Sequence, residues 1–227
     1  MVSDEGTVIG GRYRLLTPVG RGATSVVWRA RDERLDRIVA VKELSIDPAD
    51  DPAAGRVLRR AQAEARVAAR LDHPHAVMVH DVLPRDGTAF LVMEYVAGES
   101  LAASLARRGT LPAPEVAAIG AALAGALTAA HDEGILHRDV KPGNVLVTAD
   151  GSVTLVDFGI SRIVGEATGT GAGLVAGTPA YLAPEVAAGE TAGPAADVFS
   201  LGATLLTALE GTPPFGDADD PVALLAR

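Results

Sequence analysis

His137-Arg138-Asp139-Val140-Lys141-Pro142-Gly143-Asn144 leads directly into Val145-Leu146-Val147-Thr148. The turn Ala149-Asp150-Gly151-Ser152 then separates that segment from Val153-Thr154-Leu155-Val156, which runs on into Asp157-Phe158-Gly159. Two β-rich quartets about a polar, glycine-containing turn read as a hairpin. Pairing Thr148 with Val153 sets Asn144 opposite Asp157 in an antiparallel register. An amide oxygen and a carboxylate at the open end of a hairpin are hard donors, suited to Mg²⁺ shared with phosphate oxygens rather than to a closed protein cage. Asp139 adds a base to the same loop and Lys141 a cation. A lone Asp or Asn in a loop is ordinarily a solvated turn residue; the joint run, at hairpin distance from Asp-Phe-Gly, sets this loop apart.

Upstream of this loop the chain reads as helical. Ser100 to Arg108 is closed by Gly109, and Pro114 to Glu133 carries Val116, Ile119, Leu123, Leu127 and Ala130 on one face with Gly134 beyond its end. Earlier still, the pattern turns short, β-rich and punctuated. Three antiparallel strands are expected between Tyr13 and Glu43, a helix over Arg56 to Leu71, and a hairpin formed by Val77 to Leu83 and Ala89 to Tyr95, completing a five-stranded sheet. The expected organisation is a tail over residues 1–12, a small lobe over 13–96 and a helical lobe over 97–227.

Composition narrows the function. The 227 residues are 48% hydrophobic, enough for a sizeable core, so wholesale disorder is not expected. Twenty Lys and Arg against 29 Asp and Glu leave a net charge of −9, the wrong sign for a protein whose main partner is nucleic acid or an anionic membrane. No Cys is present, which removes disulfides, thiolate zinc sites and thiol nucleophiles together and fits a reducing compartment; the cytoplasm is the expected location. No membrane span is expected, the alanine-rich Val116 to Ala130 reading as a core helix. The start of the chain has neither a basic nor an apolar region of a secretory signal. The five His show no zinc spacing.

On His137 to Asn144, Asp157-Phe158-Gly159, Val39-Ala40-Val41-Lys42, Ala183-Pro184-Glu185 and Asp197-Val198-Phe199-Ser200-Leu201-Gly202, the sequence resembles the eukaryotic-like serine/threonine protein kinases of bacteria, from about Tyr13 to its last residue. The resemblance implies an α+β, protein-kinase-like two-lobe fold, with a five-stranded antiparallel sheet and one helix in the N-lobe, a mainly helical C-lobe and ATP in the cleft. It also implies that the final helices of the family lie beyond residue 227, leaving apolar surface uncovered. The glycine-rich stretch Val19, Gly20, Arg21, Gly22, Ala23, Thr24, Ser25, Val26 and Val27 would fold over ATP; lacking a following Gly-Lys-Ser/Thr and lying between strands, it is neither a Walker A loop nor a Rossmann turn. Ser25 stands where the family has its third glycine, and a left-handed conformation there would cost about 1–2 kcal/mol.

By the same resemblance Lys42 holds the α- and β-phosphates, oriented by Glu64, and breaking such a pair costs ~3–5 kcal/mol. Ala40 and Leu146 sandwich the adenine, Met93 guards the back pocket, and backbone groups of Glu94 and Val96 meet the ring. Asp139 accepts the proton of the substrate hydroxyl, Lys141 neutralises charge on the transferred group, and Asn144 and Asp157 hold Mg²⁺. Gly177-Thr178-Pro179 and Lys141 imply Ser/Thr rather than Tyr specificity and protein substrates. Thr168 and Thr170 stand where such kinases autophosphorylate, which admits a homodimer acting in trans. Two other classes stay open: a pseudokinase scaffold, against which the intact motifs speak, and a small-molecule phosphotransferase, against which the GTP-to-APE segment speaks.

Overall fold

The computed structural model describes residues 3–22, 25–45, 63, 67–85, 88–158 and 179–216. These fall into two compact units, one of residues 3–22, 25–45, 63, 67–71, 78–85 and 88–96, the other of residues 72–77, 97–158 and 179–216.

The first unit is a sheet in the order β1-β2-β3-β4-β6-β5, formed by Val8–Ile9, Tyr13–Arg21, Ser25–Asp32, Arg37–Ser45, Thr88–Glu94 and Val79–Arg85 respectively. Side chains alternate between its faces, as the two-residue period of a strand requires. Val26, Trp28 and Ala30 of β3, Val39 and Val41 of β4, and Phe90 and Val92 of β6 fill the core, joined by Ile9, Tyr13 and Leu15. Cross-strand register then fixes the other face. Val27 lies opposite Lys42 and Arg29 opposite Ala40, while Lys42 faces Leu91 and Ala40 faces Met93.

The sheet has six strands where five are expected, because the stretch read as a tail doubles back. Gly10 and Gly11 both adopt positive φ, +58° and +64°, and Arg12 N–H donates to Ile9 C=O at 3.1 Å, the mirror-image turn that glycine admits without strain. Ile9 is thereby buried opposite Tyr13, contributing about 1.5–3 kcal/mol by removal from water. Arg12 grips the buried Asp32 with two hydrogen bonds of 2.7 and 2.6 Å. Of the helix expected over 56–71, Ala63, Val67 and Ala68 are helical and the remainder lies mostly outside the described residues.

The second unit contains α1 (Leu101–Arg108), α2 (Ala113–Asp132), α3 (Pro184–Ala187), α4 (Pro194–Glu210) and the sheet β7-β8-β9 (Gly98–Ser100, Val145–Thr148, Val153–Leu155). Ser100 caps α1 by accepting from Ala103 N–H at 3.1 Å, and Gly109 ends it, as its sequence signals predict. α2 buries Val116, Ile119, Leu123, Leu127 and Ala130 and packs on α4 and β9. Among the described residues it is the one helix long and apolar enough to cross a membrane. Residues 72–77 join this unit rather than the first: Leu155 N–H donates to His75 C=O at 2.8 Å and Val77 N–H to Leu155 C=O at 2.9 Å.

Candidate active site

The β8–β9 hairpin is shifted by one residue from its expected register. Val147 pairs with Val153 and Val145 with Leu155, so Asn144 lies opposite Val156, whose N–H donates to Asn144 C=O at 2.9 Å. The loop is the cause. Thr148 and Ser152 close three residues, not the four of Ala149 to Ser152, with Gly151 at φ +84° and Thr148 N–H donating to Ser152 C=O at 3.0 Å. Asp150 braces the turn by accepting from Ser152 N–H at 3.1 Å and from the Thr148 hydroxyl, which together hold its carboxyl below the usual range. Asp157 follows two residues beyond the last paired position and has φ +67°, an unusual conformation for a residue with a side chain.

The loop before β8 is held from beneath by a buried carboxylate. Asp197, in the first turn of α4, accepts from His137 N–H at 2.8 Å, from Arg138 N–H at 2.7 Å and from His131 Nε2 at 2.9 Å. Arg138 has φ +64°, which costs a residue with a Cβ about 1–2 kcal/mol. A hydrogen bond to a charged acceptor returns about 1.5–3 kcal/mol, so the Asp197 contacts offset the strain. His137 is fully enclosed. Its Nε2 donates to Val156 C=O at 2.9 Å, its Nδ1 accepts from Asp139 N–H at 3.2 Å, and its ring lies 4.7 Å from that of Phe158. With both nitrogens used and burial pushing its pKa down, the imidazole is a neutral structural part, the packing role that the kinase resemblance implies for it. His131 was not legible as a contributor: it stands near a helix end with no motif around it, and its partner is 66 residues away.

On this support the chemical groups converge. Asp139 Oδ2 is 2.8 Å from Lys141 Nζ and accepts from Asn144 Nδ2 at 2.9 Å; the same amide donates to Asp139 C=O at 2.7 Å. The Asn144 amide is thus oriented with its nitrogen toward Asp139, which leaves its Oδ1 as the donor atom turned away from that carboxylate. Pro142–Asn144 forms a 3₁₀ turn that brings the amide back over the loop, while the Asp139 side chain keeps 32% of its surface exposed. Among the described residues, no three His, Cys, Asp or Glu gather into a metal-holding group.

In the first unit, Val27, Ala40, Lys42 and Met93 share the face opposite the core. Val26, included among the nucleotide contacts, alternates to the core face, so its side chain packs there with Trp28 and Phe90. Val19, Gly20 and Arg21 belong to β2, and Gly22 N–H donates to Ser25 C=O at 2.8 Å. Ser25 pairs with Leu44 in the extended ladder and is not left-handed, so the strain considered for it does not arise. Glu94 uses its N–H on Met78 C=O at 2.9 Å, and Val96 follows in a segment outside the ladders. Leu146, in β8, pairs with Thr154. Ala23, Thr24, Glu64, Thr168, Thr170 and Thr178 lie outside the described residues.

Comparison with known proteins gives the same reading. Serine/threonine-protein kinase PknA of Mycobacterium tuberculosis is 44% identical over 225 residues, covering 96% of this chain and 52% of PknA. Serine/threonine-protein kinase PknK of the same organism is 49% identical over 194 residues, covering 85% of this chain and 17% of PknK. The chain therefore spans about half of one relative and a small part of the other. The crystal structure of the Mycobacterium tuberculosis PknI kinase domain superposes with a TM-score of 0.78 at 36% identity, covering 97% of this chain and 82% of that one. The protein kinase domain matches residues 13–224, and with the loop geometry above this makes the chain a member of the protein kinase family.

Proposed function

We propose that the chain is the catalytic part of a serine/threonine protein kinase, transferring the γ-phosphoryl group of Mg-ATP to Ser and Thr hydroxyls of proteins. ATP use follows from the family; the assignment of roles to residues is this proposal. The single observation that carries it is the Asp139–Lys141–Asn144 cluster, held on a left-handed Arg138 by a buried Asp197.

Asp139 is the base. Lys141 and Asn144 take its Oδ2, so Oδ1 has lone pairs to receive the proton of the acceptor hydroxyl. Lys141 places a positive charge beside the path of the transferred group and stabilises charge as it develops there. Asn144 presents an amide oxygen, and Asp157 a carboxylate at the end of the same hairpin; both are hard donors that fit Mg²⁺. When bound, the metal supplies charge neutralisation of the phosphate oxygens. Lys42, with Glu64 orienting it, takes the α- and β-phosphates, while Val27, Ala40, Met93 and Leu146 give apolar cover to the adenine and the backbone of Glu94 and Val96 reads its edge. Autophosphorylation at Thr168 or Thr170 proceeds in trans within a transient homodimer, and the activity is cytoplasmic.

The test is transfer of labelled phosphate from ATP to the chain itself and to a basic test protein. Asp139→Asn should lower kcat by about 10²–10⁴, the range for loss of a general base, and Lys42→Met should abolish transfer. Normal turnover of Asp139→Asn would overturn the mechanism.

A further inference from the structure

Glu43 is 1% exposed, on the same face of β4 as Val39 and Val41, with Val26 and Phe90 as its cross-strand neighbours. A carboxylate in such a cluster is unfavourable unless its lone pairs are filled. Trp28 Nε1 donates to its Oε2 at 3.2 Å. The other donors come from Ser3: its N–H reaches Oε1 at 3.0 Å and Oε2 at 3.3 Å, and its hydroxyl donates to Oε1 at 3.0 Å. One residue near the start of the chain therefore satisfies most of a buried charge.

Among the described residues, the segment that carries Ser3 is lightly attached otherwise. Asp4, Glu5 and Gly6 are exposed; Thr7 N–H donates to Asp4 C=O at 3.1 Å in a local turn, and the sheet takes hold where Gly6 N–H donates to Leu15 C=O at 2.9 Å and Leu15 N–H to Thr7 C=O at 2.9 Å. Residues 3–5 can thus peel away from Glu43 while β1 stays paired. Peeled, they present the Ser3 hydroxyl to solvent.

We propose that Ser3 is a phosphoacceptor of this kinase and that its phosphate opens the strap, so that the first residues act as a latch on the sheet carrying Lys42. In the transfer, Ser3 Oγ bonds to the γ-phosphorus of ATP, the bond from that phosphorus to the β–γ bridging oxygen breaks, ADP leaves with that oxygen, and the hydroxyl proton passes to the base. The assignment of Ser3 as acceptor rests on the kinase reading; the latch does not. Phosphorylation removes the Oγ–H donor and sets a near-dianion beside the Glu43 carboxylate, which the low-dielectric surroundings make strongly repulsive. The strap leaves, and among the described residues the buried carboxylate keeps its bond from Trp28 alone.

Trp28 reports the outcome. It is the one tryptophan of the chain, 3% exposed, and its indole N–H is bonded to the carboxylate in question. In the full chain, Ser3→Asp should raise the open fraction by about ten- to hundredfold, seen as a red-shifted, acrylamide-quenchable emission with far-ultraviolet circular dichroism unchanged. Adding Glu43→Gln should restore the wild-type emission, because the amide can donate to the introduced carboxylate. Ser3→Ala, which loses only the hydroxyl donor, should shift the emission less and in the same direction, and it decides the matter if Ser3→Asp fails to fold. Emission identical to wild type in the variants that fold would overturn the latch. After incubation with Mg-ATP, peptide mapping should find phosphate on Ser3 in the wild type and none in Asp139→Asn. Phosphate elsewhere but not on Ser3 would overturn the acceptor assignment and leave the kinase reading intact; no transfer to any substrate would overturn both, with the emission of the variants still deciding the latch.

Discussion

Asp32 in the first unit and Asp197 in the second are both buried, and they are satisfied in opposite ways. Asp32 is gripped by the Arg12 guanidinium at 2.7 and 2.6 Å and caps the β3–β4 turn through the N–H groups of Arg34 and Leu35 at 3.2 and 3.3 Å. The Arg12 hydrogen bonds hold its carboxyl down at about 2. Asp197 takes two main-chain N–H groups and one imidazole, all from residues about 60 positions earlier. A carboxylate paired with a cation secures a turn that local sequence already favours. One that spends its lone pairs on the backbone of a distant loop holds a conformation, φ +64° at Arg138, that the loop would otherwise abandon.

That contrast can be broken by substitution. Asp197→Asn replaces one acceptor oxygen with a donor facing another N–H; kcat should fall about hundredfold or more as Asp139 drifts from its position, with a smaller change in KM, in steady-state kinetics. An unaltered kcat would reduce Asp197 to a packing element. Asp32→Asn should do the reverse: the melting temperature, followed by calorimetry, falls by several degrees while kcat per folded molecule holds. A loss of turnover there would erase the distinction.

The smallest effect is on acid stability, and it separates the units. Burial holds His137 neutral below its ordinary 6.5, so below that pH the unfolded chain binds the extra proton and stability is lost as pH falls beneath 6.5. Asp32, depressed from 3.8 to about 2, contributes stability that is full above 3.8 and lost as pH falls from there toward 2. Urea titrations across this range should show two steps, and Asp32→Asn should shrink the lower one, to which Asp150 also contributes, while leaving the upper one unchanged.

Much of this architecture was legible in advance, and the exceptions have specific causes. The β-rich stretch between Tyr13 and Glu43 and the helical spacing of Pro114 to Glu133 report local geometry; three strands form in the first, and the helix of the second, Ala113–Asp132, lies within a residue of expectation. The hairpin after Asn144 was visible but its register was not, because a three-residue loop with Gly151 in the left-handed region and a four-residue loop read alike in one dimension. Val8–Ile9 gave too short a signal to be a strand; its pairing depends on the two-glycine turn and on the core that receives Ile9. Ser3, Trp28 and Glu43 are 40, 25 and 15 positions apart in their pairs, and no spacing rule connects them.

The types of group present, a carboxylate base, a lysine, an amide and a second carboxylate in one short region, are a property of the chain as written, since side-chain chemistry is carried by residue identity and neighbours within a loop cannot drift apart. Their orientation is not. The turn of the Asn144 amide toward Asp139, the left-handed Arg138 beneath it and the neutral His137 depend on Asp197 and Val156 arriving from other elements, and only folding brings those partners within hydrogen-bond distance.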